Sequence, residues 1–399
     1  MHIRVLCLGK MSKSRVSDYK AYRGLTKTLL TVGGLWPYSN SNIFYRILPY
    51  IQIILNLGMA LAILGFVRDH FSNIALVTRG MSVMTSFLTT ILKVTCLVIN
   101  KEDLMELHEN LDPYLNDLLK NSPSTEVILK DINSFKFLSW GLTFFAFIAT
   151  CFLIFTPLLF ILHCHQHEIE LINYPLIYPS VYPWKIISNG WIYKMNYVFE
   201  TLASLILFFV TASVDSLFTL YVFQMVGLLR EISYCITRLD EKNVNKDSVI
   251  CKCITQYEKL MRCREILEKI YGPVILWIMT TNAVVLCTLL FQISQMKSIS
   301  VTRGLLFTTY ITLKMIQTFM YAWSGSCLTD ESENYKDAVY AAHWYGNKRF
   351  MTSVIIMLAQ RPLTLTACNF STVSLKIFVM VLNTTVSYFF LLQTLDYQE

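Results

Sequence analysis

The sequence predicts an all-α membrane protein that crosses the bilayer seven times. Three observations carry this. Hydrophobic residues make up 54% of the 399 and charged residues only 15%, whereas a soluble domain carries about a quarter charged residues to keep its shell in water. Seven stretches are apolar over the roughly 20 residues that a bilayer crossing needs. Phe (25), Tyr (22) and Trp (7) are abundant, as expected where helices end at membrane interfaces.

The predicted spans follow in order. The first is 47–67, closed by Arg68-Asp69, and the second is 74–99, with Arg79 near its start and Lys93 near its end. The third, 136–162, is rich in Phe and Ile; the fourth, 197–228, is long and holds Asp215. The fifth is 272–295, the sixth 302–324 with Lys314 near its middle, and the seventh 370–395. The apolar patch 351–359 is too short to span and reads as part of a buried cytosolic helix.

Orientation follows the basic residues, which favour cytosolic loops. They crowd the N-terminal tail (Arg4, Lys10, Lys13, Arg15, Lys20, Arg23, Lys27) and the connection between spans four and five, from Arg230 to Lys269. Alternate loops are poorer, so the N-terminus is expected in the cytosol and the C-terminus outside. The net charge of +7 is then a matter of topology, and no nucleic-acid partner is expected. At the N-terminus, Val5-Leu6-Cys7-Leu8 is too short for a signal-peptide core, so the first span is expected to direct insertion.

The expected division is a cytosolic segment 1–46, spans one to six over 47–324, a cytosolic anchor segment 325–369, and a last helix with the extracellular C-terminus over 370–399. Within it, the connections 100–135 and 229–271 are cytosolic. Residues 101–119 repeat Leu104, Leu107, Leu111, Leu115 and Leu118 at helical spacing against Glu102, Glu106, Glu109 and Asp117. Residues 250–271 do likewise with Ile254, Tyr257, Leu260 and Ile266. Both read as amphipathic helices that extend the bundle out of the membrane. The long external loop 163–196 is aromatic, and Pro175, Pro179 and Pro183 exclude regular helix. A folded extracellular lid is expected there.

Catalytic and metal chemistry is not expected. No phosphate loop, nucleophile elbow or metalloprotease helix occurs. His163-Cys164-His165-Gln166-His167, with Glu168 and Glu170 nearby, lacks the spacing of a structural zinc site and reads as a solvated loop. The eleven cysteines form no regular framework and read as free thiols. The sequons at Asn369 and Asn383 fall on the cytosolic side and inside the membrane, so both read as coincidental.

Intramembrane charges are costly and commonly functional, which singles out Asp215 and Lys314. For Lys314, snorkelling or a structural pair with a neighbouring helix explains the charge equally well. In span seven, Ile377, Val381, Thr384, Tyr388, Leu391 and Leu395 fall on one helical stripe. A ring of such helices would give a polar pore closed by a hydrophobic constriction; the competing reading is a packing helix whose hydroxyls bond to neighbours.

The stretch 323–395 resembles the C-terminal signature of insect odorant receptors. The matching elements are Ala322-Trp323-Ser324-Gly325, Ser332, Asp337-Ala338-Val339-Tyr340, Trp344, Phe350, Met357, Gln360-Arg361-Pro362, Thr366-Ala367, Phe370 and Ser387-Tyr388-Phe389-Phe390-Leu391-Leu392. The resemblance implies a subunit of a heterotetrameric, odorant-gated, non-selective cation channel in the plasma membrane of olfactory sensory neuron dendrites. Its partners would be the odorant co-receptor (Orco), the lipid bilayer and a small volatile odorant or pheromone. The connection between spans four and five is much shorter than the co-receptor's, which implies a ligand-tuning subunit. It further implies a pore and gate at Thr384, Tyr388, Leu391 and Leu395. The ligand site would lie in the outer half of the bundle, at Met81, Met84, Thr85, Cys151, Phe155, Phe199, Leu202, Tyr310 and Lys314, although core packing explains any one of them singly.

Three alternatives make distinct demands. A gustatory-receptor-like channel would end on a differently spaced Thr-Tyr and Gln-Phe pattern. A metabotropic seven-helix receptor would place its N-terminus outside. A transporter or membrane enzyme would show repeats or a polar catalytic cluster, and none is visible.

Overall fold

The computed structural model describes residues 2–38, 42–121, 124–166, 174–184, 186, 190–238, 246–295, 301–342 and 348–396; within these, side chains are described except at 2–12, 121, 246–247, 301–303, 348–350 and 395–396. The helices are α1 (His2–Val32), α2 (Ile43–Asp69), α3 (Ile74–Ile99), α4 (Lys101–Asn121), α5 (Thr125–Ile128), α6 (Ile132–Gln166), α7 (Trp191–Thr237), α8 (Lys246–Ser294), α9 (Val301–Tyr340), α10 (Lys348–Ala359) and α11 (Leu375–Asp396). A hairpin of β1 (Thr366–Ala367) and β2 (Ser371–Thr372) pairs antiparallel, Thr366 opposite Thr372.

Among the described residues, six helices are long and apolar enough to cross a membrane: those at 43–69, 74–99, within 125–166, 191–237, within 248–294, and within 375–394. The predicted sixth span lies in α9, which falls short of the others because Lys314, Gln317 and several threonines interrupt it. Packing, not apolarity, places α9 in the bundle, where it lies against α6, α7, α8 and α11. The chain is thus a multi-pass helical membrane protein.

α7 is the axis. It touches α1 to α6, α8 and α9, and 72% of its apolar window is buried, against 17% for α11. α7, α8 and α9 are 47, 49 and 40 residues long, well beyond the roughly 20 that the bilayer requires. Their extensions form a second packed body with α4, α5 and α10. One continuous core joins Leu107, Leu111, Ile232, Tyr257, Leu260, Tyr335, Val354 and Met357. We call this the extension end and the opposite one the loop end.

Local chemistry explains the elements. Asn73 caps α3 by accepting from the Leu76 N–H at 3.2 Å. α4 carries Glu102 and Asp103 in its first turn and Lys120 in its last, the sense that suits the helix dipole. α1 was not expected as a helix. Tyr19, Tyr22, Thr26 and Leu30 make its buried face, and Arg23 closes a bidentate pair on Asp112 at 2.5 and 2.6 Å.

The hairpin also displaces an expected boundary. The last helix starts at Leu375, not at 370, because 366–372 forms the strands and their turn. Cys368 and Asn369 hold φ of 52° and 61° there. The strap from 360 to 375 is fastened by two serines of α9, of which Ser332 belongs to the C-terminal signature. Ser332 accepts the Leu363 N–H at 2.8 Å, and Ser326 accepts the Leu375 N–H at 2.9 Å. A Cβ on Gly325 would meet the Val373 carbonyl oxygen at 2.3 Å, so only glycine allows α9 to approach the strap.

Candidate ligand site and pore helix

A charged network sits at the centre of the bundle. Lys93 Nζ of α3 lies 2.6 Å from Asp215 Oδ1 of α7, and neither side chain is exposed. Two residues of α9 donate to the same carboxylate: Gln317 Nε2 to Oδ2 at 2.7 Å and the Tyr321 hydroxyl to Oδ1 at 2.6 Å. Three helices are thereby tied by one acid. Asn282 of α8 extends the network to Thr318 at 2.9 Å. Lys314, one turn from Gln317, is 7% exposed. It has no carboxylate within 4 Å among the described residues. Its ammonium stands 5.7 Å from the Tyr310 ring centre, and the Tyr310 hydroxyl bonds Ser86 of α3 at 2.5 Å.

Toward the loop end, the segment 174–184 folds into the bundle. Its anchor is Glu200 of α7, a fully buried acid. The carboxylate accepts from the N–H groups of Ile177 and Tyr178 at 2.8 and 3.2 Å, from the Ser180 hydroxyl at 2.8 Å and from the Tyr182 hydroxyl at 2.9 Å. Four donors leave the acid satisfied where an unpaired one would be costly. Val181 N–H bonds the Ala62 carbonyl of α2 at 3.0 Å, and Tyr178 bonds Ser204 at 2.9 Å. Burial pushes the Tyr178 phenol above its ordinary pKa, and burial with the nearby Glu200 charge does the same to Tyr182. Both stay neutral donors.

The nine nominated ligand residues divide. Met84 and Phe199 pack in one cluster with Met59, Ile63, Phe87 and Tyr178, directly beneath the segment. Tyr310 bonds Ser86, next in sequence to Phe87 of that cluster, but packs against the neighbouring one of Leu142, Phe208 and Leu313, with Lys314 over its ring. Thr85 spends its hydroxyl on the Met81 and Ser82 carbonyls at 2.9 and 2.8 Å, and Cys151 is half-buried. Met81, Phe155 and Leu202 point out of the chain, 38%, 55% and 47% exposed. Sequence reasoning missed Glu200, Lys93, Ser86, Tyr178, Gln317 and Tyr321. An acid inside an apolar run beside a loop rich in Tyr and Ser was the signal for Glu200.

On α11 the predicted stripe splits. Ile377 and Val381 are buried, and Thr385 beside them donates to the Ala283 carbonyl of α8 at 3.3 Å. Thr384 is half-buried, while Tyr388 and Leu391 are 50% and 55% exposed. α11 therefore packs on α8 through its first half and presents its second half outward. The Leu395 side chain lies outside the described residues, as do His167, Glu168 and Glu170.

Comparisons agree with this architecture. The insect olfactory receptor OR5 of Machilis hrabei in complex with eugenol superposes with a TM-score of 0.76 at 17% identity, covering 95% of this chain and 100% of that one. The odorant receptor coreceptor of Anopheles gambiae is 31% identical over 160 residues, 39% of this chain and 33% of that protein. Odorant receptor 13a of Drosophila melanogaster is 22% identical over 247 residues, 57% of this chain and 59% of that protein. The chain thus spans between a third and three fifths of these relatives' lengths. The profile of the family described as 7tm Odorant receptor matches residues 73–386, a receptor family and not an enzyme family. The chain belongs to the 7tm odorant receptor family.

Proposed function

We propose that this chain is a ligand-tuning subunit of an odorant-gated cation channel in the plasma membrane of a sensory dendrite. It assembles with an odorant co-receptor into a heterotetramer, with the extension end in the cytosol and the loop end outside. The observation that carries the reading is the outer half of α11. Asn383 and Tyr388 are exposed on a helix apolar enough to span a membrane. Amide and hydroxyl groups at bilayer depth are expensive against lipid, so this face is suited to water in a pore or to a neighbouring subunit. Leu391 beside it supplies a constriction of the kind that closes by dewetting. The basic N-terminal tail and extension-end helices support the orientation.

The ligand sits beneath the Glu200-anchored segment, against Met84 and Phe199, with Tyr310 and Lys314 at its inner limit. A small, largely apolar molecule with one hydrogen-bond acceptor suits that lining: the body takes the apolar cluster and the acceptor meets the Lys314 ammonium. The solved OR5 of Machilis hrabei is in complex with a small organic molecule, eugenol. Odorant-evoked current is the test, recorded in cells expressing this chain with and without a co-receptor. Current across a broad odorant panel is expected only with both. Silence in both conditions, with surface expression confirmed, would overturn the reading.

A further inference from the structure

At the extension end, far from the loop-end cluster, α4, α7 and α8 leave a cavity of about 280 Å³. Its apolar wall includes Leu228, Ile232 and Leu260. Its polar lining includes Glu231, only 8% exposed. Glu231 Oε1 receives the Cys235 thiol at 3.4 Å, while Oε2 has no hydrogen-bond partner.

The neighbouring cations do not answer this acid. Arg230, next in sequence, turns away to Asp131 and to Glu331, the latter at 2.8 Å. Lys259 lines the cavity but is exposed and makes no ion pair among the described residues. Gln256 spends its amide on the Tyr114 hydroxyl. Glu109, also a lining residue, is exposed and adds negative charge at the rim, while Asp117 is paired with Lys120 at 3.3 Å. A buried carboxylate oxygen without a donor costs several kcal/mol; burial raises the Glu231 pKa, and a cation in the cavity would hold the acid ionised.

The geometry points to a second small-molecule site, one that binds an organic ammonium ion with a short apolar body. The ammonium meets the Glu231 carboxylate and the body lies on Leu228, Ile232 and Leu260. Size agrees: a cavity of about 150 Å³ accommodates benzene, and 280 Å³ accommodates a ring with a two-carbon amine arm. The site joins three helices, two of which continue into the membrane bundle, so an occupant would stiffen the connection between the two ends. It is distinct from the odorant site and does not depend on channel function.

The test uses the full chain in detergent micelles, with 2-phenylethylammonium as probe and 2-phenylethanol as its neutral counterpart. Isothermal titration with the wild-type protein should show saturable binding of the ammonium, at least tenfold tighter than the alcohol. Glu231→Gln should lose at least tenfold in ammonium affinity and leave the alcohol unchanged. Equal binding of the two probes, or no binding of either, overturns the proposal on wild-type protein alone, whether or not the variant folds. Unchanged ammonium affinity in folded Glu231→Gln also overturns it.

Discussion

Replacing Asp215 by Asn leaves the Lys93 ammonium stranded at the centre of the bundle. In the native chain the two charges lie 2.6 Å apart with no exposure. At an effective dielectric of about 20 their attraction is about 6 kcal/mol. Desolvating each ion costs several kcal/mol, so the intact pair contributes little net stability. Breaking it is another matter, because Lys93 keeps its desolvation cost and loses its compensation. Removing one partner of a buried pair costs about 3–5 kcal/mol, or roughly two to three and a half decades in the folding equilibrium. Lys314, one turn along α9 from the Gln317 bond to Asp215, adds a second cation to the same interior. The double variant Lys93→Met with Asp215→Leu removes both charges. Its expected cost is the two lost acceptor bonds to Gln317 and Tyr321, about 0.6 kcal/mol each by the membrane average, together with the loss of Asp215 as the anion near buried Lys314. Thermal stability of the solubilised chain, followed by size-exclusion after heating, ranks the variants. The double variant should be more stable than either single one. If its loss equals the sum of the two single losses, Lys93 and Asp215 do not act as a pair and the reasoning fails.

Three further outcomes follow. Gly325→Ala should abolish surface expression, since its Cβ would press on the Val373 carbonyl at 2.3 Å while that residue's N–H is held by Leu365 at 2.8 Å; Gly141→Ala, with nothing within 4 Å, should be tolerated, and equal expression of the two would dismiss the steric account. His108 has its pKa held below the ordinary value, by burial first, with Asp112 opposing. The fold therefore binds its proton less readily than the unfolded chain, and stability is complete above about pH 6.5 and falls as pH drops through that value. His108→Gln should flatten the decline in melting temperature between pH 8 and pH 5.5, and an unchanged slope would assign it to other groups. Leu391→Ala should give agonist-independent current or altered ion selectivity in cells carrying the co-receptor; wild-type currents would remove Leu391 from the gate.

The spans were legible because apolar length is a local property. α7 and α8 were readable from their long apolar runs, and α4 from its leucine repeat. α9 was also readable, even though Lys314 and Gln317 spoil its apolarity, since a bundle can shelter them on its inner face. α1 was not, because its buried face alternates Tyr and Thr with Lys and Arg, and only contact with α7 reveals that Tyr22 and Thr26 are interior. The sites were harder for a similar reason. Asp215 drew notice as a charge in an apolar run, but its partner Lys93 sits near the end of another span, where a charge is less conspicuous. The nominated ligand residues were placed by helix and depth. Depth does not fix rotation about a helix axis, so Met81, Phe155 and Leu202 point outward while Ser86, next to Thr85, points in. The lid was expected from its prolines and aromatic residues; the acid that fastens it belongs to the following helix.

The length of α7 has a mechanical consequence. Its 47 residues form one uninterrupted helix without proline, about 70 Å long at 1.5 Å per residue. Near one end, Glu200 grips the segment under which an odorant would settle. Near the other, Arg230 and Glu231 reach the extension body. A rod of this kind acts as a lever: pivoting about Asp215, a tilt of about 5° displaces Glu231, about 24 Å along the axis, by about 2 Å. The ion pair at Asp215 lies between the two and is placed like a fulcrum. A change in contact at the loop end too small to alter any helix can in this way arrive at the extension body as a movement of about 2 Å.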